Sequence, residues 1–229
     1  MTLQINDLSD DIGLASAPVG TVQVRSRPGL YRNVLKRPAD VLAILISGVI
    51  VLPVILVLAL LVARDGHSPF YRSDRVGRGG RTFRMLKLRT MVPDADQMLD
   101  VYLQQNADAR NEWDCTQKLK GDPRITGIGR FLRKTSMDEL PQLWNVLVGD
   151  MSLVGPRPMM PNQRALYNGL AYYALRPGIT GSWQVSDRNE CEFSKRAEFD
   201  RDYERDLSFT TDLRLLLATA RVVLRGTGY

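Results

Sequence analysis

The feature that most constrains this chain is a 23-residue segment without a charged side chain, residues 41–63 (VLAILISGVIVLPVILVLALLVA). A straight α-helix of that length would measure about 35 Å, enough to cross a hydrocarbon core of roughly 30 Å. Pro53 lies in the middle of it, and a proline removes a backbone donor and clashes with the preceding turn. The segment therefore predicts either a kinked membrane span or a helix-break-helix that enters and leaves on one face.

The charges that flank this segment bear on the choice. Hydropathy alone favours a span, but basic residues resist translocation and here they lie on both sides. Before the segment stand Arg25, Arg27, Arg32, Lys36 and Arg37, and after it Arg64, Arg72, Arg75 and Arg78. Residues 20–90 contain 13 Lys and Arg against 3 Asp, a balance of +10 in a chain of net charge +6. This basic block indicates an anionic partner: lipid headgroups, phosphates or nucleic acid.

The remaining sequence predicts an α+β domain at residues 30–229, preceded by a disordered or loosely attached segment at 1–29. It indicates a β-hairpin at 69–91 that turns at Gly77-Arg78-Gly79-Gly80, and helices at 94–113 and 130–148. Loops are expected at 115–129, 149–163 and 176–187, and a final amphipathic helix at about 211–225. Arg214, Arg221 and Arg225 form a stripe on that helix, which fits a membrane interface as well as packing on the domain.

Cysteine and histidine usage excludes several classes of active site. Cys115 and Cys191 lack the spacing of a zinc site or a disulfide framework. The one histidine, His67, lies in a sequence typical of a turn. Catalysis would therefore rest on carboxylates, lysine, arginine or a metal held by carboxylates.

The pair Asp138-Glu139 is the strongest candidate for chemistry. It stands where a helix is expected to begin, and a helix N-terminus stabilises carboxylates and nearby phosphates. One carboxylate could attack phosphorus while the other holds Mg²⁺. The alternative is structural, because Ser136-x-x-Glu139 also fits a capping box at a helix start.

Three further segments fit anion binding. Arg157 stands between Pro156 and Pro158, Lys87 and Arg89 would share one face of a strand, and Arg176 opens a Gly/Pro-rich loop. Each also fits an ordinary surface turn or strand.

In this order the motifs resemble those of the bacterial sugar transferases, the monotopic phosphoglycosyl transferases. The resemblance extends from Tyr31 to Tyr229 and is closest to small exopolysaccharide-initiating undecaprenyl-phosphate galactose-phosphotransferases. The segments that carry it are Lys36-Arg37-Pro38-Ala39-Asp40, the helix-breaking Pro53, Lys87-Leu88-Arg89-Thr90-Met91, Asp138-Glu139-Leu140-Pro141-Gln142, Gly149 to Pro158, and Arg176-Pro177-Gly178.

The resemblance implies a re-entrant membrane helix at about 38–64, broken at Pro53, with the catalytic domain on the cytoplasmic face of the bacterial inner membrane. It implies that Asp138 is the nucleophile, that Glu139 helps to bind Mg²⁺, and that Lys87, Arg89 and Arg157 meet phosphate groups, a role that we also expect of Arg176. A sugar 1-phosphate, galactose or glucose by likeness, would pass from a UDP-sugar through Asp138 to undecaprenyl phosphate, as the first step of exopolysaccharide or capsule assembly.

The partners expected on this interpretation are the UDP-sugar, undecaprenyl phosphate, membrane lipids and the glycosyltransferases that act next, and not nucleic acid. A homodimer is the usual oligomer for such a chain. Three alternatives stay open: a single-span protein with a nucleic-acid-binding domain, a non-catalytic scaffold of an assembly complex, and a one-step transfer without a covalent intermediate.

Overall fold

The computed structural model describes residues 29–116, 119, 121–186 and 195–224. The predicted N-terminal segment, apart from Gly29, and Arg225 of the basic stripe lie outside the described residues.

The helices within these ranges are α1 (Lys36–Val62), α2 (Ala95–Gln105), α3 (Ala107–Thr116), α4 (Gly127–Thr135), α5 (Gln142–Val148), α6 (Ala171–Ala174), α7 (Ser182–Ser186), α8 (Arg196–Asp206) and α9 (Phe209–Leu224). The strands are β1 (Phe70–Val76), β2 (Thr82–Leu88), β3 (Ser152–Val154) and β4 (Gly178–Thr180). Shorter helical turns are Tyr31–Leu35, Ala63–Asp65, Arg78–Gly80, Met137–Glu139 and Pro161–Leu166. The predicted class is confirmed in its coarse form: a mostly helical protein with a short antiparallel hairpin and one long apolar helix.

Helix α1 is continuous, with Pro53 inside it. The predicted break between two helices is therefore wrong as secondary structure, because the loss of one backbone hydrogen bond at a proline does not end a helix. The stretch from Tyr31 to Asp65 is the one helix among the described residues that is long and apolar enough to cross a membrane.

Both ends of α1 pack on the rest of the protein, and its middle does not. Near its start Ile44 joins Met85 and Val146 in one apolar cluster. Near its end Leu58 and Val62 pack against residues of β2 and α4. Between these contacts the side chains are open to the surroundings, with Val49 79% and Leu52 69% exposed.

The predicted hairpin is present, and β1 pairs antiparallel with β2 from Phe70↔Leu88 to Val76↔Thr82. The chain reverses direction at Gly79, whose φ of 68° lies in the left-handed region. Glycine adopts this conformation at little cost. Strand β2 buries Met85 and Leu88, so the hairpin contributes one face to the core.

Both helices predicted in the middle of the chain are interrupted. The helix expected at 94–113 is two helices, because Asn106 is extended and its side-chain amide donates to the Tyr102 carbonyl. The helix expected at 130–148 divides at Ser136, whose φ is 56°. Asparagine and serine can satisfy backbone groups with their own side chains or turn the chain at a helix end, and hydrophobic period alone does not reveal this.

The segments predicted as Gly/Pro loops contain a second sheet. Strands β3 and β4 pair in parallel, with Ser152 opposite Gly178 and Val154 opposite Thr180. A Cβ on Gly178 would lie 2.1 Å from the Gly155 nitrogen, so the close backbone approach requires glycine. Helices α6, α7 and α8 were also not predicted.

Helix α9 confirms the predicted C-terminal helix within the described residues, although it begins at Phe209. Leu215 is buried, whereas Phe209, Leu213 and Leu217 are 58%, 45% and 57% exposed. The helix thus packs on the domain and also presents an apolar surface.

Candidate active site

The two adjacent carboxylates lie on a single 3-10 turn, Met137–Glu139, between α4 and α5. Ser136 ends α4 in the left-handed conformation and makes no side-chain cap. The capping-box alternative is therefore wrong, because Ser136 serves as the C-cap of the preceding helix. The chain enters α5 directly after Pro141, whose fixed φ suits a helix start.

Lys87 on β2 faces both carboxylates. Its ammonium nitrogen lies 2.8 Å from Glu139 Oε1 and 3.5 Å from Asp138 Oδ2. The three side chains are mostly buried, with 20%, 23% and 11% exposed for Lys87, Glu139 and Asp138. The structure thus brings together three of the residues that the sequence singled out in separate motifs.

Asn145 fixes the register between the strand of Lys87 and the helix that follows the carboxylates. Its Nδ2 donates to the Arg84 carbonyl at 2.8 Å, and its Oδ1 accepts from the Leu86 amide at 2.9 Å. The side chain is 3% exposed. The Asn145 side chain therefore makes with the backbone of β2 the kind of hydrogen bonds that a neighbouring strand would make. These bonds hold α5 beside β2.

The pKa of the Asp138 carboxyl is raised, first because the group is buried and second because Glu139 is next to it; the positive charges of Lys87 and Arg133 oppose the rise. A carboxylate with a raised pKa is, once it is ionised, a stronger base and a better nucleophile than one in water. The site is therefore suited to attack by Asp138 on an electrophile.

Arg133 is a site residue that was not predicted. It extends from α4, and its Nε donates to Thr90 Oγ1 at 2.9 Å. Burial lowers the pKa of this guanidinium, and Asp138 and Asp122 raise it. The helix approaches Thr90 closely, because a Cβ on Gly129 would lie 2.0 Å from the Thr90 carbonyl oxygen.

Arg157 lies in a second cluster of cations. Its guanidinium is 5.7 Å from the ring centroid of Trp183, and that of Arg196 is 4.2 Å from the same ring. The pKa of Arg75 on β1 is lowered, first because its guanidinium is buried and second because of the charge of Arg157; Glu139 acts in the opposite direction.

Arg89 and Arg176 make their described contacts elsewhere. Arg89 forms a two-pronged ion pair with Asp65, at 2.7 and 2.6 Å, and donates to the Val62 carbonyl, which fixes the end of α1. Arg176 Nε donates to the Gly149 carbonyl at 2.9 Å. Neither of these contacts is with Asp138 or Glu139.

The described residues contain no group of three or more His, Cys, Asp or Glu side chains that could enclose a metal ion. Mg²⁺ commonly takes only one or two carboxylates and completes its shell with water and substrate phosphate oxygens. Asp138 and Glu139 fit that arrangement, provided that Lys87 yields its contact with Glu139.

Comparison with known proteins agrees with this geometry. The family model described as bacterial sugar transferase matches residues 31–226. The chain is 46% identical over 196 residues to the UDP-galactose-lipid carrier transferase of Erwinia amylovora, covering 85% of this chain and 41% of that protein. It is 42% identical to the exopolysaccharide production protein ExoY of Rhizobium meliloti, over 84% of this chain and 87% of that protein.

A third relative, the UDP-glucose:undecaprenyl-phosphate glucose-1-phosphate transferase of Caulobacter vibrioides, is 36% identical over 95% of this chain and 84% of its own length. The chain thus spans about two fifths of the Erwinia protein but most of the other two. The predicted resemblance is confirmed: the chain belongs to the bacterial sugar transferase family.

Proposed function

We propose that this protein transfers a sugar 1-phosphate from a UDP-sugar to undecaprenyl phosphate and releases UMP. The single observation that carries the proposal is that Asp138 is buried beside Lys87 and Glu139, on a turn whose position relative to β2 is fixed. The names of the Erwinia and Caulobacter relatives, a UDP-galactose-lipid carrier transferase and a UDP-glucose:undecaprenyl-phosphate glucose-1-phosphate transferase, support the same class of reaction.

The reaction proceeds in two displacements at one phosphorus atom. A carboxylate oxygen of Asp138 attacks the sugar-bearing phosphorus of the UDP-sugar, the bond from that phosphorus to the bridging oxygen breaks, and UMP leaves. An oxygen of undecaprenyl phosphate then attacks the same phosphorus, and the Asp138 carboxylate is released. No proton must be removed from either nucleophile when both are anions, which agrees with a chain whose one histidine, His67, forms a turn with Asp65.

The cations near Asp138 stabilise the charge of the diphosphate. Lys87 is in direct contact with both carboxylates, so its ammonium group lies next to the proposed nucleophile and would meet the charge of a diphosphate bound there. Arg157 would bind the phosphate of the leaving UMP. Arg89 and Arg176 remain candidate phosphate ligands, but their present contacts with Asp65 and Gly149 favour a structural role.

Mg²⁺, held by Glu139 with the help of Asp138, would neutralise the diphosphate and the leaving group. The displacement of Lys87 from Glu139 would free this carboxylate for the metal and direct the ammonium group to the substrate.

We further propose that α1 is a re-entrant helix on the cytoplasmic face of the inner membrane, and its contacts support the re-entrant part of this proposal. At 1.5 Å per residue its 27 residues measure about 40 Å if straight. A span of that length would hold its two ends on opposite sides of the bilayer, yet both ends pack on the same polar domain. A helix bent at Pro53, with its exposed middle in lipid, satisfies both observations.

The reaction is tested with purified, detergent-solubilised protein, Mg²⁺ and radiolabelled UDP-galactose, without lipid acceptor. We expect label on denatured wild-type protein and none on Asp138→Asn. The same assay with UDP-glucose and UDP-N-acetyl sugars identifies the sugar, for which the relatives suggest galactose or glucose.

The outcomes separate the alternatives. Lipid product without any protein-bound label would exclude the covalent intermediate and favour a one-step transfer. Neither label nor lipid product with any UDP-sugar would overturn the proposed function and favour a scaffold.

A further inference from the structure

Helix α5 has no charged side chain, although part of its surface is open. Its sequence is QLWNVLV, and its two polar residues, Gln142 and Asn145, are buried. Trp144 and Val148 are 61% and 52% exposed. These two are four residues apart, so they share one face of the helix. Helix α5 thus presents an uncharged, apolar face to its surroundings.

This face begins next to the turn that carries the two carboxylates. The turn ends at Glu139, and α5 starts at Gln142. The Trp144 amide donates to the Pro141 carbonyl at 3.0 Å, so Trp144 lies in the first turn of α5. The exposed indole therefore follows Asp138 by only six residues and one change of direction.

The other end of α5 rests on the start of α1. Arg37 donates to the Leu147 carbonyl at 2.8 Å, and Val146 packs in one cluster with Ile44. The next residue of α1, Leu45, is 61% exposed and belongs to the apolar surface that the proposed topology places in lipid. The seven residues of α5 span about 10 Å. They connect the carboxylate turn with that surface.

Helix α4, on the other side of the turn, has a different exposed surface. Phe131 is 52% exposed, but Arg130 and Lys134 beside it are exposed as well. A hydrocarbon chain that lay across α4 would cover these charges, and taking a charge out of water without a partner is costly. Of the two helices that flank the turn, α5 therefore offers the uncharged path.

We propose that Trp144 and Val148 bind the isoprenoid chain of the lipid acceptor and thereby hold its phosphate at Asp138. This inference rests on the proposed function, in which an oxygen of undecaprenyl phosphate attacks the phosphorus carried by Asp138. The charged head of the acceptor must reach a site in the polar domain, while its chain must stay out of water. Helix α5 joins these two environments, and a chain on its open face would remove Trp144 from water.

The first experiment measures the KM for the acceptor and the KM for the UDP-sugar with the full-length protein in detergent. Lipid product from undecaprenyl phosphate is followed for wild type, Trp144→Ser and the matched control Phe131→Ser. Both substitutions remove an exposed aromatic ring from a helix that flanks the turn. Thermal unfolding of each variant reports whether it is folded.

We expect Trp144→Ser to raise the KM for undecaprenyl phosphate roughly 10-fold, as for the lost burial of one large apolar side chain. The KM for the UDP-sugar should not change, and Phe131→Ser should change neither value. Equal KM values for the acceptor in the two variants would overturn the inference. An equal increase for both substrates in Trp144→Ser would also overturn it, because it would indicate a structural role.

A second experiment locates the chain without depending on turnover. Farnesyl phosphate with a diazirine within its chain is photo-crosslinked to the wild-type protein, and the adducts are mapped by mass spectrometry. We expect adducts on α5, at or next to Trp144 and Val148. An excess of undecaprenyl phosphate should suppress them, whereas an equal excess of phosphatidylglycerol should not.

The absence of adducts on α5, or adducts on α4 around Phe131 in their place, would overturn the inference. Equal suppression by the two lipids would do so too, because it would mean that this face contacts bilayer lipid in general. Specific adducts on α5 in a protein that makes no lipid product with any UDP-sugar would keep the binding site and refute the proposed function.

Discussion

At the scale of single residues, Lys87 opposes the effect of burial on the ionisation of Asp138. Burial and Glu139 raise the pKa of the Asp138 carboxyl, and Lys87 lowers it. The proposed nucleophilic attack by Asp138 requires a deprotonated carboxylate, so on this proposal activity should fall as pH drops through the raised pKa, at a higher pH than for an exposed aspartate.

We expect Lys87→Gln to reduce the transfer rate by roughly 100-fold and to shift the acidic limb of the pH–rate profile to higher pH. The profile is measured with labelled UDP-sugar, and Lys134→Gln, at an exposed position on α4, is the control. A lower rate with an unmoved acidic limb would contradict the role of Lys87 in keeping Asp138 charged.

Asp200 makes the stability of the protein depend on pH. Its pKa is about 7 in the folded protein because it is buried, well above the usual value for aspartate. The folded state therefore binds a proton that the unfolded state has lost, and stability declines as pH rises from about 4 to 7.

Asp200→Asn, which keeps an acceptor for Tyr167, should remove that decline. We expect the variant to gain ~1–3 kcal/mol relative to wild type between pH 5 and pH 8. Denaturant unfolding at both pH values measures this, and an equal difference between variant and wild type at the two pH values would refute it.

The sequence revealed site residues that belong to contiguous motifs and missed those that tertiary contacts create. Asp138, Glu139 and Lys87 were each singled out in separate motifs, and the structure places them together. Arg133 lies in the helix predicted at 130–148 but in no motif that singled it out, and only the packing of α4 against Thr90 brings it to the site. The roles of Arg89 and Arg176 stay predictions.

At the scale of secondary-structure elements, the side chain of Asn145 aligns α5 with β2. Asn145 pairs with backbone groups of Arg84 and Leu86 while almost wholly buried. Asn145→Ala would leave an N–H and a carbonyl buried without partners, at a cost of about 2–4 kcal/mol. Asn162→Ala, at an exposed position, should cost less than about 0.5 kcal/mol. Thermal unfolding compares the two, and equal losses would show that Asn145 does not align these elements.

A second question at this scale is on which side of the membrane the two ends of α1 lie. If both ends lie on the cytoplasmic face, cysteines introduced as Asn33→Cys and Ser68→Cys should react with a membrane-impermeant maleimide to the same extent in inside-out vesicles. Neither should react in intact spheroplasts. If one position reacted only in inside-out vesicles and the other only in spheroplasts, α1 would span the membrane. Labelling of the unmodified protein corrects for Cys115 and Cys191.

Elements with a strong repeating pattern were predicted well. The hairpin has alternating apolar residues and a glycine turn, α9 has a clear apolar face, and α1 is apolar throughout. The β3–β4 pair was not predicted because each strand has three residues, too few for a period of two to be visible. The ends of α4 and α5 depend on the left-handed Ser136, which hydrophobic periodicity does not signal.

At the scale of the whole molecule, Asp212 joins the first and last described helices. It accepts hydrogen bonds from Tyr31 at 2.8 Å and Tyr203 at 2.7 Å, and forms an ion pair with Lys36. Lys36 and Asp212 are 12% and 6% exposed, so the pair is largely out of water.

Asp212→Asn should destabilise the protein by roughly 3 kcal/mol, because Lys36 would keep a buried charge without its counter-charge. Asp202→Asn breaks an exposed pair with Arg205 and should change stability by less than about 1 kcal/mol. Unfolding in detergent, followed by circular dichroism, measures both. Similar losses would mean that the buried pair does not hold the two helices together.

The same contact sets an order of events during synthesis. Tyr31 and Asp212 are 181 residues apart, so at about 5–20 residues per second the ribosome needs on the order of 10–40 s to make the second after the first. If α1 enters the membrane during synthesis, as the proposed re-entrant topology implies, it does so before Tyr31 and Lys36 have met Asp212. The contact between the first and last described helices would then form after insertion.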